Sequence, residues 1–160
     1  MKTLILMRHA NAEARENDQL DLERPLTRKG KKAARKTGKV MKHTAVCPQR
    51  ILSSSARRTK ETAKEISKKL STPLQIDVLD DLYLAEPQAF VDVLRQVSDE
   101  LDCVMVVGHN PGLRDLLQTL TGTVLRFPKA TAAYINLPLD SWQEISLELR
   151  GELDTLITLQ

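Results

Sequence analysis

Short, unbroken apolar runs alternate along the chain with segments in which apolar residues recur at helical spacing. The runs are typical of buried strands and lie at residues 2–7, 50–53, 74–79 and 103–107. The helical segments lie between and after them, at residues 29–41, 59–70, 87–97 and 111–120. This order predicts an α/β fold, a three-layer α/β/α sandwich with a mostly parallel central sheet.

Residues that favour helix starts and strand ends refine this outline. Thr27 is predicted to cap the first helix, and the serines at 53–55 are predicted to cap the second. Asn110 is the expected cap of the fourth helix, with Pro111 at its first position. Two late strands are predicted at residues 131–137 and 143–149, and they would add an antiparallel edge strand to the sheet.

Length and composition narrow the class of protein. A chain of 160 residues with 41% hydrophobic residues fits one domain over residues 1–160. The two cysteines share no metal-binding spacing with each other or with a histidine. Only four consecutive apolar residues precede Arg8, and no run approaches the length of a membrane span, so we expect a cytoplasmic protein with no membrane contact.

Positive charge is concentrated in residues 28–42, although the net charge is only +3. A solvated helix face is the favoured interpretation. A positive field that steers a phosphorylated or acidic partner is the second. A nucleic-acid-binding face is a remote third, because five aromatic residues are few and no nucleic-acid-binding motif is present.

Two histidines and two arginines follow predicted strands. Arg8 and His9 end the first run, His109 ends the fourth, and Arg58 falls in the first turn of the second helix. Open α/β sheets bind ligands at the carboxyl edge of their strands, so we expect these side chains to converge there. Two arginines and a histidine would supply positive charge for a phosphoryl group, and His9 an in-line nucleophile.

Each histidine also has a structural interpretation. His9 alone could simply hydrogen-bond a loop carbonyl, and His109 could lie next to a helix start with no part in chemistry. The combination of Arg8, His9 and His109 at comparable strand ends favours a catalytic role for the cluster. His43 follows a lysine-rich helix and is predicted to be a surface residue.

Three segments carry a family resemblance. They are Leu6 to Ala10, Ser53 to Ala63, and Val106 to Pro111, and in order and spacing they resemble the signatures of the histidine phosphatase (phosphoglycerate mutase-like) superfamily. The short chain and the stretch Arg24-Pro25-Leu26-Thr27 with Gly30 look more like the SixA-type phosphohistidine phosphatases.

The resemblance implies roles for particular residues. His9 would be the nucleophile that becomes phosphorylated, and Arg8, Arg58 and His109 would form the phosphate pocket. Arg24 and Asn11 would reach the substrate or its carrier protein.

Two positions depart from the family pattern. Ala10 stands where the family usually has glycine, and Leu84 stands near the acidic general acid of members that act on phosphate esters. Glu86 is close to that position but displaced, and is the possible general acid. A site without the acid should favour phosphohistidine, because its P–N bond is labile and its imidazole can be protonated beforehand.

The sequence leaves three functions open. The first is a metal-independent phosphatase, with no cofactor, acting on phosphohistidine of a partner protein, either a phosphotransfer domain or a phosphocarrier. The second is a phosphatase or mutase that acts on a small phosphorylated substrate. The third, remote, is nucleic-acid binding by residues 28–42, although no nucleic-acid partner is expected.

Overall fold

A computed structural model of the chain describes residues 1–159, and Gln160 of the predicted domain lies outside the described residues. The strands are β1 (Lys2–Arg8), β2 (Arg50–Ser54), β3 (Ile76–Leu79), β4 (Cys103–Gly108), β5 (Ala132–Leu137) and β6 (Glu152–Ile157). The helices are α1 (Arg28–Lys42), α2 (Arg57–Ser67), α3 (Pro87–Leu94) and α4 (Gly112–Thr121). Single 3₁₀ turns occur at Asp21–Glu23, Asp80–Leu82 and Trp142–Glu144.

The six strands form one sheet in the order β3-β2-β4-β1-β5-β6. β3, β2, β4 and β1 pair in parallel, whereas β5 runs antiparallel to both β1 and β6. The predicted α/β fold with a mostly parallel sheet and antiparallel pairing at one edge is thereby confirmed. In the β1–β4 pair, Arg8 lies opposite Gly108, so the two strands end side by side.

Both faces of the sheet are covered, which explains why its central strands are apolar without interruption. Leu4 and Leu6 of β1 pack in one cluster with residues of α3 and α4. Ile5 and Met7 face the opposite way and pack with residues of α1 and α2. No helix in residues 1–159 has the length and apolar content needed to cross a membrane.

The predicted strand at residues 143–149 is wrong. Residues 142–144 form a 3₁₀ turn, in which Ser141 and Glu144 make reciprocal capping bonds. The Trp142 side chain is fully buried and its indole N–H donates to Leu101 O at 2.7 Å, which holds the segment against the core. The strand that pairs with β5 is instead β6, further along the chain.

The predicted helix caps agree with the structure only at α1. Thr27 Oγ1 accepts a hydrogen bond from Gly30 N at 2.9 Å, as expected. The serine cap of α2 is wrong, because Ala56 occupies the N-cap and no side chain caps it. The cap of α4 is also wrong: the helix begins at Gly112, and Asn110 Nδ2 donates to Phe127 O instead.

Candidate active site

The structure brings Arg8, His9, Arg58 and His109 together at the carboxyl edge of the sheet. His9 and His109 directly follow the neighbouring strands β1 and β4, and their ring centroids are 5.4 Å apart. Arg58, in the first turn of α2, places Nη2 3.3 Å from His109 Nδ1. Residues far apart in sequence therefore meet because their strands are adjacent.

His9 is held as a neutral imidazole with one free nitrogen. Its Nδ1 lies 2.8 Å from Ala10 O, and since a carbonyl only accepts, Nδ1 carries the proton and Nε2 does not. The residue is 7% exposed, and burial lowers its pKa to about 4, with Arg58 and Arg8 contributing in the same direction and the Ala10 bond opposing. At neutral pH, Nε2 therefore presents an electron pair.

His109 is neutral for a similar reason but is held at both nitrogens. An arginine only donates, so His109 Nδ1 accepts from Arg58 and Nε2 carries the proton. Nε2 lies 2.8 Å from Ser54 Oγ. Burial, followed by the charge of Arg58, lowers the pKa of His109 to about 3.

Arg58 is the buried cation of the group. It donates from Nη1 to the backbone oxygen of Asp21 at 2.9 Å and from Nη2 to Asp21 Oδ2 at 3.0 Å. Its Nε is buried without a hydrogen-bond partner in the described part of the chain. Arg57, by contrast, is exposed and pairs with Glu61, so the geometry selects Arg58 of the two.

Arg8 is half-buried and supplies a second unsatisfied donor. Its Nη1 donates to Phe127 O at 3.3 Å, while its buried Nε has no partner among residues 1–159. Burial, and then the charge of Arg114, lower the pKa of Arg8, although a guanidinium keeps its charge. Buried guanidinium donors without partners are suited to bind an anion such as a phosphoryl group.

The remaining predicted residues lie at different distances from this cluster. Arg24 touches it only through Asp21 Oδ1, at 3.0 Å, and also donates to Glu13 O. Asn11 bonds to Thr27 and Lys129, and lines with Arg8 a cavity of about 470 Å³. Glu86 is exposed just before α3, and its side chain makes no hydrogen bond or ion pair within residues 1–159.

Sequence reasoning missed three residues of the site: Asp21, Ser54 and Tyr83. The Tyr83 hydroxyl donates to Asp21 Oδ2 at 2.5 Å, and its ring meets His109 edge-on at 5.6 Å. Ser54 belongs to the serine run at residues 53–55, but that pattern predicts a helix cap and not a contact with a histidine. Asp21 and Tyr83 had none, since each lies in a segment without a periodic pattern.

Asp21 is a carboxylate that stays ionised. Partial burial would raise its pKa, but hydrogen bonds from Tyr83, Arg24 and Arg58 outweigh that effect and hold the pKa well below its usual range. Asp21 is therefore a fixed negative charge next to Arg58.

Other concave surfaces carry less chemistry. A cavity of about 700 Å³ lies between β2, β3 and α3, away from the histidines, and Arg50, Asp77 and Asp92 are among its lining residues. Its lining includes no histidine or cysteine of residues 1–159, so the site at the strand ends is the better candidate for catalysis. Residues 1–159 hold no group of three or more histidine, cysteine or acidic side chains placed to bind a metal ion.

A free imidazole nitrogen beside two arginines and a second imidazole is suited to a tetrahedral oxyanion. This is the arrangement of a phosphate-handling α/β protein. The family model of the histidine phosphatase superfamily (branch 1) matches residues 4–83. The chain belongs to the histidine phosphatase superfamily.

Individual relatives are more distant. An uncharacterized chloroplastic protein of Arabidopsis thaliana is 27% identical over 152 residues, which cover 89% of this chain and 70% of that protein. A candidate phosphohistidine phosphatase SixA from Agrobacterium tumefaciens superposes with a TM-score of 0.84 at 23% identity, covering 99% of this chain and 98% of that one. The protein histidine phosphatase SixA in complex with tungstate gives 0.81 at 23% identity, covering 98% and 96%. The two structural likenesses concern the fold.

Proposed function

We propose that this protein is a metal-independent phosphatase of the SixA type, which removes the phosphoryl group from phosphohistidine on a partner protein through a phospho-His9 intermediate. The observation that carries the proposal is the free Nε2 of His9, placed beside Arg58 and His109 in a buried cluster. The partner would be a phosphotransfer domain or a phosphocarrier. Cytoplasmic location and a part in signal transduction stay predictions from the sequence.

In the first step, His9 Nε2 attacks phosphorus in line with the bond to the substrate's imidazole. The Nε2–P bond forms, the substrate P–N bond breaks, and its electron pair goes to the leaving nitrogen. Arg8 and Arg58 would bind the phosphoryl oxygens, because each has a buried Nε donor without a partner. His9 Nδ1 keeps its proton, and its N–H continues to donate a hydrogen bond to Ala10 O. This hydrogen bond stabilises the positive charge that the phosphorylated ring acquires.

In the second step, water attacks the phosphoryl group of phospho-His9. A P–O bond forms, the P–Nε2 bond breaks, and both protons of the water leave with inorganic phosphate. His9 returns to its starting tautomer because the proton on Nδ1 never moves. No metal ion or cofactor takes part in either step as written.

The environment of the site favours phosphohistidine over an ester. An alkoxide leaving group needs a positioned acid. A phosphorylated imidazole that already carries a proton on its other nitrogen leaves as neutral imidazole and needs none. The carboxylate next to the cluster, Asp21, is held ionised and cannot supply that proton. Leu84, near the family's acid position, is apolar, and Glu86 points to solvent.

The experiment is to trap the intermediate. The protein is incubated with a phosphohistidine peptide or phosphoramidate, with and without a chelator. The reaction is quenched in alkali and the protein is analysed by intact-mass spectrometry. His9→Asn tests the nucleophile, and His43→Asn is its matched control, because His43 is an exposed histidine after α1.

We expect one acid-labile phosphoryl group on the unaltered protein and on His43→Asn, none on His9→Asn, and release of free phosphate that a chelator does not change. Turnover with no phosphoenzyme on any variant would contradict the covalent mechanism. Turnover of phosphate esters with phosphohistidine left intact would assign the small-molecule function instead.

A further inference from the structure

Asp21 receives hydrogen bonds from three side chains that enter the candidate active site from different segments. Arg58 donates to its backbone oxygen and to Oδ2, Tyr83 donates to Oδ2, and Arg24 donates to Oδ1. A residue held in this way has a fixed position, although it lies in a short 3₁₀ turn outside the α-helices and the strands. The site therefore includes a fixed negative charge that takes no part in the two phosphoryl-transfer steps.

His9, Arg58 and Asp21 differ in how deeply they are buried. His9 is 7% exposed and lies at the base of the site, so an in-line attack directs the leaving group outward. The Asp21 side chain is 35% exposed, whereas that of Arg58, its partner, is 4% exposed. Asp21 is thus the more exposed partner of the arginine that would bind the phosphoryl oxygens, as a residue that meets an outgoing leaving group must be.

We propose that Asp21 is a specificity-determining residue that selects substrates whose leaving group is a nitrogen base carrying a proton, above all the imidazole of phosphohistidine. A carboxylate at this position accepts a hydrogen bond from the free N–H of that ring. It also repels leaving groups that carry negative charge, such as phosphorylated sugars and acids. The proposal rests on the proposed function and names the feature that discriminates among its substrates.

The proton of the substrate ring stays on that ring throughout the step. The substrate ring carries phosphorus on one nitrogen and a proton on the other, and that N–H donates to Asp21. As the P–N bond breaks, its electron pair neutralises the ring, and neutral imidazole departs with the same proton. Asp21 stabilises the charged ring before cleavage and transfers nothing.

The test compares one phosphoramidate with one ester. We would measure kcat/KM for a phosphohistidine peptide and for p-nitrophenyl phosphate, whose leaving group has no N–H and needs no acid. Asp21→Asn keeps the size and the hydrogen-bond acceptor but removes the charge. Asp18→Asn is the matched control, because Asp18 is an exposed acid of the same loop that takes no part in the hydrogen bonds of the site.

We expect Asp21→Asn to lower the ratio of phosphohistidine to ester turnover about tenfold or more, in keeping with the loss of one charge-assisted hydrogen bond. Asp18→Asn should leave the ratio within about twofold. Asp21→Glu should restore part of the discrimination, and Asp21→Ser gives a second test if the amide variant does not fold.

An unchanged ratio, with both activities falling together, would overturn the proposal and show that Asp21 only positions Arg58. Trapping separates this failure from failure of the proposed function. If Asp21 has no such role, the unaltered protein still forms phospho-His9, whereas a wrong function would leave it unlabelled.

Discussion

His109 Nε2 lies 2.8 Å from the hydroxyl oxygen of Ser54, the last residue of β2. This contact fixes the tautomer and orientation of the imidazole, because the other ring nitrogen faces Arg58. The position of His109 is therefore determined by a neighbouring strand as well as by its own.

Replacing Ser54 with alanine should impair catalysis as well as folding. The change leaves the buried N–H of His109 without an acceptor, at a cost of about 1–3 kcal/mol, so we expect kcat/KM to fall roughly 5- to 150-fold. Ser53→Ala is the control, since Ser53 is equally buried but bonds to Ser54 O. Equal losses of activity in the two variants would contradict a specific role for Ser54.

Arg58→Lys should be nearly as damaging as Arg58→Ala. Lysine keeps the charge but lacks the planar fork that bonds Asp21 twice and faces His109, so we expect kcat/KM to fall by about 100-fold or more. Arg57 precedes Arg58 and its side chain is exposed, so Arg57→Lys should change kcat/KM less than about twofold. Steady-state kinetics on a phosphohistidine peptide would measure both, and a fully active Arg58→Lys enzyme would show that the guanidinium geometry is not required at this position.

The stability of the fold should decrease as the pH falls from about 6.5 toward 4. His9 and His109 have an ordinary pKa of 6.5, and the fold lowers it to about 4 and about 3. In this window the unfolded chain binds more protons than the native state, so acidification favours unfolding. Stability from these groups is complete above pH 6.5.

Urea midpoints at several pH values would measure this dependence. His9→Asn should reduce the slope between pH 6.5 and 4.5, whereas His43→Asn at the surface should not change it. Equal slopes in all three proteins would mean that the buried histidines do not govern the transition.

Gly112→Ala should destabilise the fold, whereas Gly108→Ala should be tolerated. A Cβ at Gly112 would lie 1.9 Å from Ala85 O, a backbone atom, whereas a Cβ at Gly108 would lie 3.5 Å from the Phe90 ring. Overpacking of this kind costs about 1–3 kcal/mol, which corresponds to a Tm lower by several degrees. Thermal unfolding of the two variants would decide, and equal Tm values would argue against close packing where α3 and α4 begin.

Glu86→Gln should leave phosphohistidine turnover within about twofold. Its side chain is exposed and makes no hydrogen bond or ion pair with His9, Arg58 or His109. A loss of turnover of about tenfold or more in steady-state assays, rising with the basicity of the leaving group, would instead make Glu86 the general acid.

The sequence predicted those parts of the fold in which one physical signal dominates. The buried parallel strands are apolar on both faces, so their runs were easy to identify. Residues at their carboxyl ends were expected to converge at one edge of the sheet, where β1 and β4 prove to be neighbours. The antiparallel edge of the sheet was harder to predict, because Ile145, Leu147 and Leu149 alternate with polar residues as they would in a strand. Burial of Trp142 and the cap at Ser141 favoured a turn there, and periodicity does not register either effect.

The site shows the same division. Arg8, His9, Arg58 and His109 belong to regular elements or directly follow them, so topology was enough to assemble them. Asp21 and Tyr83 lie outside the long elements, and only side-chain hydrogen bonds hold them near Arg58 and His109. Contacts of that kind depend on loop conformation, which a sequence pattern does not specify.

The central place of β1 has a consequence for how the molecule opens. β1 is hydrogen-bonded to β4 on one side and β5 on the other, so the backbone leading to His9 is released only when the sheet as a whole comes apart. The segment around Asp21 is fastened by side chains and by a single bridge between Ala12 and Leu26, and it can detach while the sheet stays intact. Amide exchange would then report two separate opening free energies, one for the segment around Asp21 and a larger one for β1, which leads to His9.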